Sequence, residues 1–285
     1  MNFIFEDYHT HSELCRHATG TIEDYVKKAI DLNLATIGVS DHFPYEFLSN
    51  IERIPYSEYA ITLGEIEHYL SLAEDLKEKY ASKINVRIGF EIDFFENQEP
   101  ALNTHLNKII GRLDYILGSI HILNFNDGKG AWGFDDSRFK EDYQSYGPDR
   151  VYLEYYKTQH KMLTSSQFQL DLVSHFDLPK KFNDFPKNKE VIENEVLKIL
   201  ELVKKKDLAV EINTGGLRKE VKEQYPSKEI ILRMYEYDIP ITLGSDAHSP
   251  DSIAWEFKKV VKMLKKIGYN QLAHFHQRKR TSIEL

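Results

Sequence analysis

Along the chain, short runs of β-branched, aliphatic and aromatic residues alternate with longer stretches in which apolar positions recur every three to four residues. The short runs are Phe3–Tyr8, Thr36–Ser40, Asn85–Phe90, Tyr115–Ile120, Leu170–Ser174, Leu208–Asn213 and Pro240–Ser245. Several are almost continuously apolar, as expected for parallel strands covered on both faces. Between them the period becomes helical. Ile22, Tyr25, Val26, Ala29 and Ile30 form one stripe behind a capping-box pair, Thr21 and Asp24. Val191, Ile192, Val196, Ile199, Leu200 and Val203 repeat the pattern, and Phe257, Val260, Val261 and Leu264 do so ahead of Gly268, a C-cap. Ser57–Tyr80, Arg150–Gln167 and Lys228–Tyr237 also read as helices. Seven strand–helix units in series, without a Pro/Gly/Ser-rich linker, predict one α/β domain over residues 1–285. A closed or nearly closed parallel barrel is the expected topology, with a doubly wound open sheet as its competitor. The longest connection, Asn124–Asp149, carries Gly128, Gly130, Trp132, Gly133 and Gly147 and is a candidate for substrate recognition.

Composition narrows the field. With 41% apolar and 29% charged residues the chain is neither disordered nor of low complexity. Its 37 basic and 45 acidic side chains leave a net charge of -8, which speaks against a dedicated nucleic-acid binder. No internal repeat and no phosphate-binding glycine loop is present. The single cysteine, Cys15, excludes an intrachain disulfide and a zinc site built on thiolates. The opening MNFIFEDYHTH lacks a basic, then apolar, leader pattern, and no apolar run approaches the ~18 residues of a membrane span. The expectation is a cytoplasmic protein with a small-molecule partner and neither a membrane nor a nucleic acid. Twelve histidines against four methionines make the placement of the histidines the next question.

They gather at strand ends. The first strand ends Tyr8-His9-Thr10-His11, the second Ser40-Asp41-His42, and the third runs into Gly89-Phe90-Glu91-Ile92-Asp93. The fourth ends Ser119-Ile120-His121, the fifth Ser174-His175, and the seventh Gly244-Ser245-Asp246-Ala247-His248. In parallel barrels that rim is where active sites are built. Side chains two apart in a strand point the same way, so His9 pairs with His11 and Asp246 with His248, whereas alternation cannot choose between Glu91 and Asp93. Packing gives no reason to collect so many titratable groups at one rim; bound cations do, and the pattern predicts a polynuclear metal site. His17, in the loop after the first strand, is a weaker candidate. His68, His105, His160, His274 and His276 read as surface or packing residues, Cys15 as bystander packing, and Gln277–Arg280 as a solvated face.

The motifs DYHTH (Asp7–His11), His17, SDH (Ser40–His42), GFEID (Gly89–Asp93), GSIH (Gly118–His121), SHFDL (Ser174–Leu178) and GSDAH (Gly244–His248) resemble, in that order, those of the PHP (polymerase and histidinol phosphatase) superfamily. Chain length and the phrases WGFDD (Trp132–Asp136), HFDLPKKF (His175–Phe182) and EINTGGLRK (Glu211–Lys219) are most similar to its monofunctional histidinol-phosphate phosphatases. The resemblance implies a distorted seven-stranded TIM-like barrel with a trinuclear centre. His9, His11, Glu91 and Asp246 would bind the first ion. Glu91 would share the second with His121 and His175, and His17, His42 and His248 would bind the third. It thereby selects Glu91 over Asp93. Two or three divalent ions are implied, and a nitrogen–oxygen ligand set admits zinc, iron or manganese.

The implied reaction is hydrolysis of L-histidinol phosphate to L-histidinol and phosphate, late in histidine biosynthesis, by a hydroxide bridging two metals. Arg218, just beyond the sixth strand, is the candidate phosphate clamp. Asp246 or His248 would protonate the leaving alkoxide. Trp132, Phe134, Asp135 and Asp136 are candidates for reading the substrate's amine and imidazole. The alternative enzyme is a PHP-type phosphoesterase acting on nucleoside phosphates or oligonucleotide ends; a metal-holding scaffold without turnover is the non-enzymatic reading.

Overall fold

The computed structural model describes residues 5–48 and 56–285, so Phe3 and Ile4 of the first expected strand lie outside it. The first half contains β1 (Glu6–Asp7), α1 (Ile22–Asp31), β2 (Thr36–Val39), α2 (Ile66–Lys79), β3 (Asn85–Asp93), α3 (Glu99–Leu106), β4 (Tyr115–Ser119), β5 (Ile122–Leu123) and β6 (Trp132–Gly133). The second contains α4 (Lys140–Tyr146), α5 (Pro148–Thr164), β7 (Leu172–Val173), α6 (Lys189–Lys205), β8 (Ala209–Asn213), α7 (Lys228–Glu236), β9 (Ile241–Gly244), α8 (Phe257–Ile267), β10 (Gln271–His276) and β11 (Lys279–Glu284).

Seven parallel strands pair in the order β1-β2-β3-β4-β7-β8-β9. The ends of this sheet meet: Tyr8 N–H donates to Leu243 O (3.1 Å), His11 N–H to Ala247 O (2.9 Å) and Ala247 N–H to His9 O (3.3 Å). The result is a nearly closed barrel, and the open-sheet alternative drops out. Among the described residues no helix is long and apolar enough to cross a membrane.

Local chemistry sets the helix ends. At α1, Thr21 Oγ1 accepts from Asp24 N–H (3.2 Å) while Asp24 Oδ2 accepts from Thr21 N–H (2.9 Å), the reciprocal cap the sequence predicts. The helix expected over Ser57–Tyr80 begins only at Ile66. Glu65 Oε2 takes the Thr62 N–H (2.8 Å) and opens a 3₁₀ turn there, so the chain starts afresh instead of continuing from Ser57. Helix α3, with Pro100 in its first turn, has no counterpart in the sequence reading.

The larger correction concerns the C-terminal hairpin of β10 and β11, which turns on Gln277 and Arg278, both at positive φ (48° and 59°). It floors the barrel. Phe275, 1% exposed, joins Tyr8, Tyr115, Leu117, Leu172, Ala209 and Ala273 in a cluster inside the strands. The Tyr115 ring reaches that interior because Gly89 has no side chain; a Cβ there would stand 2.6 Å from Tyr115 Cζ. The polar residues of the hairpin meet carboxylates at the strand starts: His274 Nδ1 with Glu6 (2.9 Å), His276 Nδ1 with Asp114 (2.9 Å), Arg278 with both oxygens of Asp171 (2.9 and 3.0 Å), and Arg280 with Asp207 (2.6 Å). Gln277–Arg280, expected as a solvated face, is the latch of this floor. The opposite rim is left open.

Candidate metal centre

At that rim the Glu91 carboxylate, 1% exposed, lies at the centre of five imidazoles. Oε2 faces the Nε2 atoms of His9 (3.0 Å), His11 (3.3 Å) and His42 (3.4 Å), and Oε1 faces those of His175 (2.8 Å) and His121 (3.6 Å). Asp246 Oδ1 closes one side, 3.4 Å from His11 Nε2 and 3.5 Å from His248 Nδ1. Asp246 holds its place with a left-handed backbone (φ 53°), a costly conformation for a residue with a side chain and common at functional sites. The structure thus brings His9, His11, His17, His42, Glu91, His121, His175, Asp246 and His248 to one place. Donor atoms of His11, His42 and His248, of His9, His11 and Asp246, and of Glu91, His121 and His175 form groups within 4.8 Å.

Hydrogen bonds on the far side of the rings aim them. His9 Nδ1 meets Glu211 Oε1 at 2.7 Å, and His121 Nδ1 meets Asp93 Oδ1 at 3.0 Å, so each ring keeps a proton on Nδ1 and turns Nε2 inward, the atom left to ligate once any proton it carries is lost. Asp93 therefore stands behind a ring while Glu91 fills the centre. Backbone carbonyls do the same for His17 Nδ1 (Cys15 O, 2.8 Å) and His248 Nδ1 (Asp246 O, 3.1 Å). The two Nε2 lone pairs then face each other only 2.9 Å apart. That arrangement is repulsive without an electrophile, and His11 Nε2 is buried without a well-formed hydrogen bond. The donor set fits divalent cations.

The electrostatics agree. Burial disfavours ionised Glu91, yet His9, His42 and His121 hold its carboxyl well below the usual range. Burial also opposes ionised Asp246, and His9 and His11 prevail in the same direction. Burial pushes His42 and His248 well below the ordinary imidazole value, which keeps their rings neutral, the form that ligates a metal. For His121 burial is outweighed by Asp93 and Glu91, and its value rises to about 10.

Over the cage lies a cavity of about 750 Å³, whose lining includes Tyr45, Tyr59, Asp135, Lys181, Arg218 and Lys219. Arg218 Nη2 donates to Ser245 O (2.7 Å) and Asp246 O (2.8 Å), while Nη1 has no partner. Asp135 lines the cavity and accepts from Lys181 Nζ (2.8 Å); Asp136 also lines it but is engaged by Arg138 N–H (2.8 Å) and Nε–H (2.9 Å). Trp132 and Phe134 do not line it. Both are fully buried: Trp132 packs among Phe125, Phe139 and Tyr146, and Phe134 against Tyr155. The long connection is accordingly a packed element, containing β6 and α4, with only part of its surface at the site.

A match to the PHP domain family model over residues 7–215 completes the picture. The chain belongs to the PHP domain family. A relative from Deinococcus radiodurans named "Probable histidinol-phosphatase" is 31% identical, covering 95% of this chain and 97% of its own. The crystal structure of hisK from Listeria monocytogenes superposes with a TM-score of 0.81 at 29% identity, covering 89% of this chain and 99% of that one. The histidinol phosphate phosphatase of Lactococcus lactis, solved with zinc, L-histidinol and phosphate, shares the fold at a TM-score of 0.77 and 21% identity, covering 97% and 98%. β9, which leads to Asp246 and His248, lies beyond the matched PHP segment but completes the same barrel.

The sequence reading overlooked two parts of this PHP site. Cys15 is not bystander packing: Sγ accepts from His42 N–H (3.1 Å), lies 3.7 Å from His11 Nδ1 and donates to Asp41 Oδ1 (2.9 Å). Glu211, fully buried behind His9, was one letter of a motif without a role. A lone carboxylate inside the apolar run Leu208–Asn213 was the signal available.

Proposed function

We propose that the chain is a single-domain, metal-dependent phosphomonoester hydrolase of the cytoplasm that converts L-histidinol phosphate to L-histidinol and phosphate. The observation that carries this reading is the Glu91 carboxylate ringed by inward-facing Nε2 atoms beneath a cavity that holds a partly unpartnered arginine. The histidinol-phosphatase name of the Deinococcus relative and the zinc, histidinol and phosphate of the Lactococcus protein support the substrate. His9, His11, Glu91 and Asp246 would hold one ion, Glu91, His121 and His175 a second, and His17, His42 and His248 a third. Such ions, when bound, supply a water acidified toward a pKa of ~7 and positive charge against the phosphoryl oxygens.

The chain's own residues do the remainder. Arg218, fixed by two carbonyls through Nη2 and lining the cavity, would bring its guanidinium, whose buried Nη1 has no partner, to a phosphoryl oxygen. Asp246 or His248, 3.5 Å apart at Oδ1 and Nδ1, would relay to the leaving alkoxide a proton given up by the attacking water. Asp135 and Asp136 on the cavity wall complement the substrate's amine and imidazole. Purified without chelator, the protein should release phosphate from L-histidinol phosphate far faster than from AMP or an aryl phosphate, and Glu91→Ala should abolish turnover and lower metal content together. Equal rates on AMP would transfer the reading to nucleotides. Normal turnover in a metal-depleted Glu91→Ala protein would end it.

A further inference from the structure

Glu211 has no place in the ligand set, yet it is fully buried in the middle of β8 and touches His9, His175 and Asn213. Its Oε1 meets His9 Nδ1 at 2.7 Å; its Oε2 accepts from His175 N–H (3.0 Å) and from Asn213 Nδ2–H (3.0 Å). Asn213 Nδ2 also lies 3.4 Å from Asp246 Oδ2, and Asn213 Oδ1 takes the Gly215 N–H (2.7 Å). The neighbouring strand makes room for this carboxylate. A Cβ on Gly244 would stand 1.8 Å from Glu211 Oε1 and 2.8 Å from His9 Cβ, so only glycine lets the pair form. One side chain thus fixes the ring of His9 from β1, the backbone of His175 after β7 and, through Asn213, the carboxylate of Asp246 after β9.

We infer that Glu211 is a positioning residue of the metal centre, setting the tautomer of His9 and the spacing of His9, His175 and Asp246 without itself touching an ion. This inference rests on reading the cage as a metal centre. The chemistry singles out a carboxylate. Three donors converge on Glu211, namely His9 Nδ1–H, His175 N–H and Asn213 Nδ2–H, and two carboxylate oxygens accept all of them. A glutamine of the same shape has one oxygen and one NH₂, so either orientation leaves donor facing donor. With the NH₂ toward His9, the ring is driven to carry its proton on Nε2, the atom that has to face the ion.

The test is zinc release from the zinc-loaded full-length protein to a colorimetric chelator, alongside thermal unfolding, for wild type, Glu211→Gln and Glu211→Asp. Glu211→Gln should lose zinc ~10- to 100-fold faster, the usual range when a partner behind a ligand is removed, and Glu211→Asp should recover part of the loss because it restores two acceptors. Unchanged zinc release in Glu211→Gln overturns the inference. So does a lowered Tm with zinc release unchanged, since that marks a packing role alone. Nuclear magnetic resonance of the wild-type zinc form guards against a variant that fails to fold: a slowly exchanging, far-downfield Nδ1 proton assigned to His9 is expected, and its absence refutes the Glu211 bond. A wild type that retains no zinc would refute the metal centre itself, and a zinc-loaded protein inert toward histidinol phosphate would refute only the substrate.

Discussion

Arg218→Ala separates catalysis from metal binding at this site. The guanidinium has one task in the structure and a second in the proposed reaction. Nη2 holds Ser245 O and Asp246 O at 2.7 and 2.8 Å, Nη1 is buried without a partner, and the side chain lines the cavity. Loss of a charged donor aimed at a developing oxyanion costs roughly 2–4 kcal/mol in the transition state. At about 1.36 kcal/mol per decade, that is a fall of ~30- to 1000-fold in kcat/KM. The structural task is smaller: two carbonyls lose a charged donor, about 1–3 kcal/mol for each that stays dry, and water entering from the adjacent cavity offsets much of it. Arg218→Lys should recover only part of the activity, because a single ammonium cannot hold both carbonyls and also grip phosphate in two places. The assay is kcat and KM on L-histidinol phosphate for wild type, Arg218→Ala and Arg218→Lys, with bound metal quantified on the same samples. Unchanged kcat/KM refutes the clamp. A loss of activity that tracks a loss of metal refutes it too, because Arg218 would then serve only to hold the left-handed Asp246 backbone (φ 53°) in place.

Two further outcomes follow from the barrel and the cage. Phe275→Ala empties the floor cluster and should destabilise the fold by about 3–5 kcal/mol, seen as a lower Tm with KM unchanged in the protein that remains folded; an unaltered Tm would show that the hairpin is not a structural floor. Zinc binding to the metal-free protein should release protons near pH 7. Burial opposes protonated His9 and His121, but Glu211, Glu91 and Asp246 hold the first well above its ordinary value, and Asp93 and Glu91 carry the second to about 10. Both rings are therefore protonated before loading and must lose a proton to ligate, so affinity rises with pH toward that range. Calorimetry in buffers of different ionisation enthalpy measures the release, and a buffer-independent enthalpy with a pH-flat affinity between about 6 and 8 would contradict it.

The residues of the cage other than His17 were legible because their signal is local: each closes an apolar strand with an imidazole or carboxylate, and covered parallel strands leave only their ends for such groups. What stayed hidden depends on partners far along the chain. Gln277–Arg280 looks like a solvated face until Asp114, Asp171 and Asp207 are placed beneath it ahead of three different strands. Trp132 and Phe134 look like ligand-stacking aromatics on a loop because nothing nearby in sequence announces Tyr146 or Tyr155 as their packing partners. Ser57–Tyr80 keeps an apolar stripe through a segment that the Thr62–Glu65 cap divides, so periodicity carried the helix too far back. Alternation also put Glu91 and Asp93 on one face, correctly, and their different reach then set one among the Nε2 atoms and the other behind His121 and Tyr45.

The junction of β1 with β9 has a mechanical meaning as well. His9 and His11 leave one side of that junction, Asp246 and His248 the other, and the backbone bonds between Tyr8 and Leu243 and between His11 and Ala247 zip it shut. Cations held there as proposed would act as rivets through the joint where the circle of strands is fastened, so the loaded barrel should resist springing open more than the stripped one. Chelation then threatens the vessel together with its contents.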